Sequence, residues 1–204
     1  MEVIASALFP TLVWTARFDD HEPFNAHLLD AIARLREQDP AGVANTNMAG
    51  WQSPNKLQLM PEFSVLTDRL MKIARQIGES QQFRADAEYR LEAWVNVNPP
   101  GAWNQTHIHP NCHLSGCYYV RTPADCGGIC FRDPRKLSLM TRPPITRENP
   151  FTATEARMKP EAGRFYVFPA WLEHGVEPNR GDSERVSIAF NVQVQKAGQG
   201  PTRS

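Results

Sequence analysis

Thr106-His107-Ile108-His109-Pro110 holds two histidines one residue apart, and a third, His174, follows much later in Leu172-Glu173-His174. In an extended strand, side chains at i and i+2 point to the same face, so His107 and His109 can aim two imidazoles at one point. A third imidazole from a distant strand would complete a metal site with open positions. Imidazole nitrogen suits iron, copper, nickel and zinc, and three ligands gathered on one side of an ion leave the other side free for reactants. A surface histidine on an edge strand is the plainer reading of any one of these residues. The pair's spacing and the rigid apolar approach Phe168-Pro169-Ala170-Trp171-Leu172 to His174 favour ligation. His113 is a second candidate for the position of His109, with His109 then supporting the site from behind.

Arg185 opens a run in which Val186, Ile188, Phe190, Val192 and Val194 alternate with Arg185, Ser187, Ala189, Asn191 and Gln193. An unpaired guanidinium on the inward face of such a strand would be costly to bury. Its planar fork fits a carboxylate at two points. Ser187 adds a hydroxyl on the same face, and Tyr119 could add a phenol from a facing strand. The set suggests a pocket for a small dicarboxylate that also chelates the metal; a salt bridge to a protein acid is the alternative for Arg185. Asn96, Trp94 and Asn104 are candidates for the pocket wall.

Positioning these residues requires strands late in the chain and a cover for them. Phe24, Leu28, Leu29, Ile32 and Leu35 recur at helical spacing. Phe63, Leu66, Leu70, Ile73 and Ile77 do the same, with Gly78 as the expected stop. Val3 to Phe9 and Leu12 to Ala16 read as short strands, and Asn45 to Asn55 as a loop holding Trp51. From Tyr89 onward the texture is strand. Leu91, Ala93, Val95 and Val97 alternate with Glu92, Trp94, Asn96 and Asn98 up to Pro99-Pro100-Gly101. Trp103, Gln105, His107 and His109 are expected on one face, with further strands at 114–120, 129–131 and 164–168. Ser138 to Glu161 is proline-rich and reads as a loop, either a substrate-facing lid or an insertion. The pattern predicts an α+β chain with one domain over 1–204. Its N-terminal helical part, 1–85, would pack on a jelly-roll (double-stranded β-helix) core over 86–198.

The chain of 204 residues has 22 Lys+Arg against 22 Asp+Glu, a balance that argues against nucleic acid or an anionic membrane as its main partner. Cys112, Cys117, Cys126 and Cys130 form no CxxC pair, so a structural zinc site is poorly supported. Reduced thiols in a cytoplasmic protein are favoured over a disulfide. The start, with Glu2 early and Pro10 cutting the apolar run, does not read as a signal peptide, and no run reaches the length of a membrane span.

Several segments resemble the 2-oxoglutarate- and Fe(II)-dependent oxygenases, in particular a bacterial and phage group close to the prolyl hydroxylase branch. They are Leu8-Phe9-Pro10-Thr11, Ala49-Gly50-Trp51-Gln52-Ser53, His107-Ile108-His109-Pro110, Leu114-Ser115-Gly116-Cys117-Tyr118-Tyr119-Val120, Phe168 to His174, and Glu184 to Asn191. The resemblance implies Fe(II) on His107, His109 and His174. It implies 2-oxoglutarate as co-substrate, with its far carboxylate on Arg185, Ser187 and Tyr119 and with Asn96 nearby. Hydroxylation of a substrate with release of succinate and CO2 would follow. The family usually carries an acid at the position of His109, so three neutral imidazoles here would leave the iron one unit more positive and draw an anionic co-substrate more strongly. A cupin-type metalloprotein, as in thiol dioxygenases or isomerases, is the rival: Gly101 before the paired histidines and Gly163 to Pro169 to His174 partly follow its motifs. The cupin glutamate would fall near His113 or Leu114, however, and neither is an acid. A non-catalytic jelly-roll module binding a sugar or acid is the third reading. The expected substrate is a small molecule or a peptide, and the two helices could shield the barrel or build a homodimer face.

Overall fold

The computed structural model describes residues 1–198. The described residues supply eleven strands, all paired antiparallel, in two sheets. Strands β1 (Trp14–Arg17), β2 (Asn47–Met48) and β3 (Trp51–Gln52) are short. The long ones are β4 (Ala87–Asn98), β6 (Leu114–Arg121), β9 (Arg164–Pro169) and β11 (Arg185–Lys196). Between them lie β5 (Trp103–His107), β7 (Ile129–Arg132), β8 (Glu155–Met158) and β10 (His174–Val176). One sheet has the order β1-β9-β6-β11-β4-β3, the other β2-β5-β10-β7-β8. They face each other, with the rings of Phe131 and Phe168 meeting edge to face at 4.9 Å between them. This is the double-stranded β-helix that the alternating pattern predicts.

The six-stranded sheet is buried on both sides, and the period of two decides what each side carries. Leu91, Ala93, Val95 and Val97 of β4, Tyr118 and Val120 of β6, and Val186, Ile188, Phe190 and Val192 of β11 face one way. They pack against Leu28 and Ile32 of helix α1 (His21–Gln38) and Leu66, Leu70 and Ile77 of helix α2 (Ser64–Ser80). Asn25 ties α1 to this face: its amide donates to the Val120 carbonyl at 2.8 Å, and the Tyr118 hydroxyl donates to its oxygen at 2.6 Å. The intervening residues, among them Asn96, Ser115, Tyr119, Arg185, Ser187 and Asn191, face the second sheet and are buried there.

Five local expectations change. Asn45 to Asn55, expected as a loop, carries the short strands β2 and β3, paired with β5 and β4. Val3 to Phe9 forms no strand; only Trp14–Arg17 does, because β9 offers a partner there alone. Gly78 does not stop α2, which runs to Ser80 and turns at Gln82 (φ 58°). A Cβ at Gly78 would collide with the Tyr89 hydroxyl, so the glycine serves close approach instead. The proline-rich segment contains the edge strand β8 on β7, whose charged sequence Glu155-Ala156-Arg157-Met158 hides the strand signal. Finally, β5 carries a bulge. His174 pairs with His107 but Val176 pairs with Asn104, three residues against two. The extra residue reverses parity. Asn104 is buried and lines the same cavity as His107, whereas Trp103 and Gln105 are exposed.

Candidate metal centre

His107 ends β5 and stands opposite His174, the first residue of β10. Sheet pairing alone therefore brings two distant histidines together. His109 lies just beyond the strand end, held by its own N–H on the Ala170 carbonyl at 3.0 Å and by a turn through Asn111 (φ 65°). The three rings sit with centroids 4.5 to 5.2 Å apart. Their ligand nitrogens all fall within 4.8 Å of one another. One ion with bonds of about 2.1 Å bridges nitrogens up to about 4.2 Å apart, so small ring rotations suffice for ligation. His113 is elsewhere: its Nδ1 accepts from the Val194 N–H at 3.1 Å, and its side chain is not part of the cluster.

The Nδ1–H of His107 donates to the Gln105 carbonyl at 2.7 Å, and that of His174 to the Leu172 carbonyl at 2.8 Å. A carbonyl only accepts, so each ring keeps its lone pair on Nε2. Phe168 packs edge-on to His174 at 4.5 Å, and Trp94 lies 5.9 Å from His109. Burial among these rings pushes His109 down to about 4, with His107 beside it adding to the effect. Burial pushes His174 down to about 3, and it lowers His107 as well. All three are neutral at pH 7, the state in which imidazole ligates. In the metal-free protein the unfolded chain takes up these protons below about pH 6.5, before the folded protein does. Stability of the apo form therefore falls as pH drops from about 6.5 through the values of about 4 and about 3 just given. Urea midpoints of the apo protein should fall more steeply between pH 7 and pH 5 than those of His174→Asn; equal slopes would mean that His174 is not the buried neutral base described.

On the facing sheet, register builds the other half of the cavity. Ser187 of β11 lies between Tyr119 of β6 and Asn96 of β4 in one row. The row lines the same cavity as the three histidines, together with Trp94 and Asn104. Burial holds the Tyr119 phenol well above its ordinary value, so it stays protonated and able to donate. Arg185 is one row further on, 1% exposed. Its Nη1 donates to the Cys126 carbonyl and, at 3.3 and 3.2 Å, to those of Gly127 and Glu177. The salt bridge considered for Arg185 is not made, since the Glu177 carboxylate pairs with Arg157 at 3.3 Å. Arg185 Nη2 is buried with no hydrogen-bond partner, and so is Asn96 Oδ1. Burial pulls the guanidinium below its ordinary pKa, yet an arginine stays charged. The turn that accepts Nη1 is held tight at Gly127 (φ 72°), where a Cβ would lie 2.6 Å from the Pro178 carbonyl.

Such a site combines three neutral imidazoles, a row of hydroxyl donors and a buried cation with one free N–H end. The donor set fits a divalent transition metal; the free guanidinium end, one row beyond Ser187 and not itself among the residues lining the histidine cavity, fits an anionic group.

Residues 92–191 match the family described as "Putative 2OG-Fe(II) oxygenase". Among curated proteins none matches the chain. Solved structures share the fold. A Pseudomonas putida prolyl-4-hydroxylase is 17% identical with a TM-score of 0.58, covering 92% of this chain and 94% of its own. The α-ketoglutarate-dependent carbocyclase SnoK from nogalamycin biosynthesis is 14% identical with a TM-score of 0.65, covering 89% and 79%. HygX from Streptomyces hygroscopicus, with nickel and 2-oxoglutarate bound, is 14% identical with a TM-score of 0.61, covering 95% and 86%.

Proposed function

We propose that this protein, whose residues 92–191 match the 2OG-Fe(II) oxygenase family, is an Fe(II)- and 2-oxoglutarate-dependent dioxygenase that hydroxylates a small molecule or peptide. The observation that carries the reading is the buried, unpartnered Nη2 of Arg185, one row beyond Ser187 in the sheet that faces three convergent imidazoles. The neighbour HygX, which holds a metal and 2-oxoglutarate together, supports the reading over a cupin or a non-catalytic module.

His107, His109 and His174 would hold the iron through Nε2. Bound Fe(II) supplies the oxidative chemistry, in which 2-oxoglutarate and O2 give succinate, CO2 and one oxygen atom for a substrate C–H bond. Everything else falls to the protein. Arg185 Nη2 would donate to the far carboxylate of the co-substrate, with Ser187 and the protonated Tyr119 beside it. Asn96 presents an amide to the same space. Phe168, Phe131 and Trp94 keep water from the imidazoles. Three neutral ligands leave the ion its full double charge, which strengthens its attraction for a dianion.

With Fe(II) and ascorbate supplied, the protein should convert 2-oxoglutarate to succinate slowly in air without any second substrate, and a chelator should stop it. Tight binding of 2-oxoglutarate with no succinate formed would support the non-catalytic reading instead. We also place the protein in the cytoplasm: Cys112, Cys117, Cys126 and Cys130 are all free thiols. Among the described residues no helix is long and apolar enough to cross a membrane. The balanced charge supports a substrate other than nucleic acid.

A further inference from the structure

Two of the three imidazoles are oriented by backbone carbonyls; the third is not. His109 Nδ1 lies 3.1 Å from the side-chain nitrogen of Asn191. Asn191 is 9% exposed, on the inner face of β11, in register with Ser115 and Glu92. Its Oδ1 is buried without a hydrogen-bond partner. If the amide nitrogen donates to Nδ1, the ring proton must sit on Nε2, and the ring has no lone pair to offer a cation. The two ends of a carboxamide are nearly isosteric, and half a turn of the amide plane exchanges them. Turned over, Oδ1 accepts from His109 Nδ1–H and Nε2 is bare. The present orientation leaves Oδ1 unpaired, so turning the amide over forfeits no bond made by that oxygen. The lone pair that a metal needs favours the turned orientation.

We propose that Asn191 is a positioning residue that fixes His109 as its Nδ1–H tautomer, with the Nε2 lone pair turned to the metal. The inference rests on the reading of His109 as a ligand. It gives His109 a property the other two ligands lack. The Gln105 and Leu172 carbonyls can only accept, whereas an amide can turn, so the third ligand is switched on by the orientation of a neighbour. Trp94 lies beside the same ring and limits its freedom to reorient without that partner.

The test uses Co(II) as probe and needs no turnover. Calorimetric titration of the apo protein with Co(II) should show Asn191→Ala weakened about 10- to 100-fold, the usual cost of losing a partner behind a metal ligand. Asn191→Asp should bind at least as well as the unaltered protein, because a carboxylate can only accept. In a His109→Ala background, Asn191→Ala should add no further loss. Independently, 15N-edited NMR of the unaltered protein loaded with diamagnetic Zn(II) should show the His109 proton on Nδ1. Wild-type affinity in Asn191→Ala while His109→Ala is impaired, or a proton on Nε2, would overturn the proposal. Unimpaired Co(II) binding by His109→Ala would instead remove His109 from the ligand set, and with it the reading beneath. Should Asn191→Ala prove unfolded by thermal melting, the NMR measurement and the Asp variant still decide.

Discussion

Replacing His174 with alanine should abolish both metal binding and 2-oxoglutarate turnover while leaving a folded protein. His174 is the most buried of the three imidazoles and the only one held between two strands, β5 and β7. Its loss leaves two ligands from one short segment, which cannot hold an ion on three sides. The effect on affinity should exceed the roughly 100-fold that a lost supporting hydrogen bond costs. The apo protein should not suffer in proportion. A neutral imidazole among Phe131 and Phe168 is replaced by a small apolar group, and the cavity left adjoins an open pocket. Calorimetry with Co(II), circular dichroism and succinate formation measured on one preparation separate these outcomes. Full turnover by His174→Ala would place the iron elsewhere.

Arg185→Lys should raise the 2-oxoglutarate requirement by about 10- to 100-fold, with Co(II) affinity unchanged. The arithmetic follows from the charge-assisted hydrogen bond at stake, worth about 1.5–3 kcal/mol, at about 1.4 kcal/mol per tenfold. Arg185 uses Nη1 on three backbone carbonyls and keeps Nη2 in reserve. A lysine ammonium is a single point and cannot serve both ends of that fork. It must either leave the Cys126, Gly127 and Glu177 carbonyls unsatisfied or fail to reach the co-substrate. An unchanged requirement, measured as the KM for 2-oxoglutarate in the uncoupled assay, would move the co-substrate's far carboxylate away from Arg185.

The histidines and the Arg-x-Ser pair were legible because their chemistry is carried by residue type and their strand by strict alternation. Val186 to Val194 shows this most clearly: the apolar half faces the helices and the polar half the cavity, as the period of two requires. Other features follow from partners the sequence does not display. The bulge that turns Asn104 inward and Gln105 outward is set by how β5 meets β10, and β10 is too short to announce itself. The role of Gly78 depends on Tyr89, a residue of a different element. The partners of Arg185 are backbone carbonyls, which every residue has, so no side-chain pattern could have named them. Asn191 was visible as one polar position among several; only its proximity to His109 gives it a task.

The doubly covered sheet has a practical corollary. Ser187 and Ile188 are neighbours on one ribbon, and only a backbone's thickness separates the oily cushion supplied by the first 80 residues from the pocket floor. Trimming those residues to isolate a minimal catalytic unit would wet the reverse side of β4, β6 and β11. The floor would then lose its flatness before any reacting group had been touched, so a shortened version should fail through warping and clumping rather than through missing chemistry.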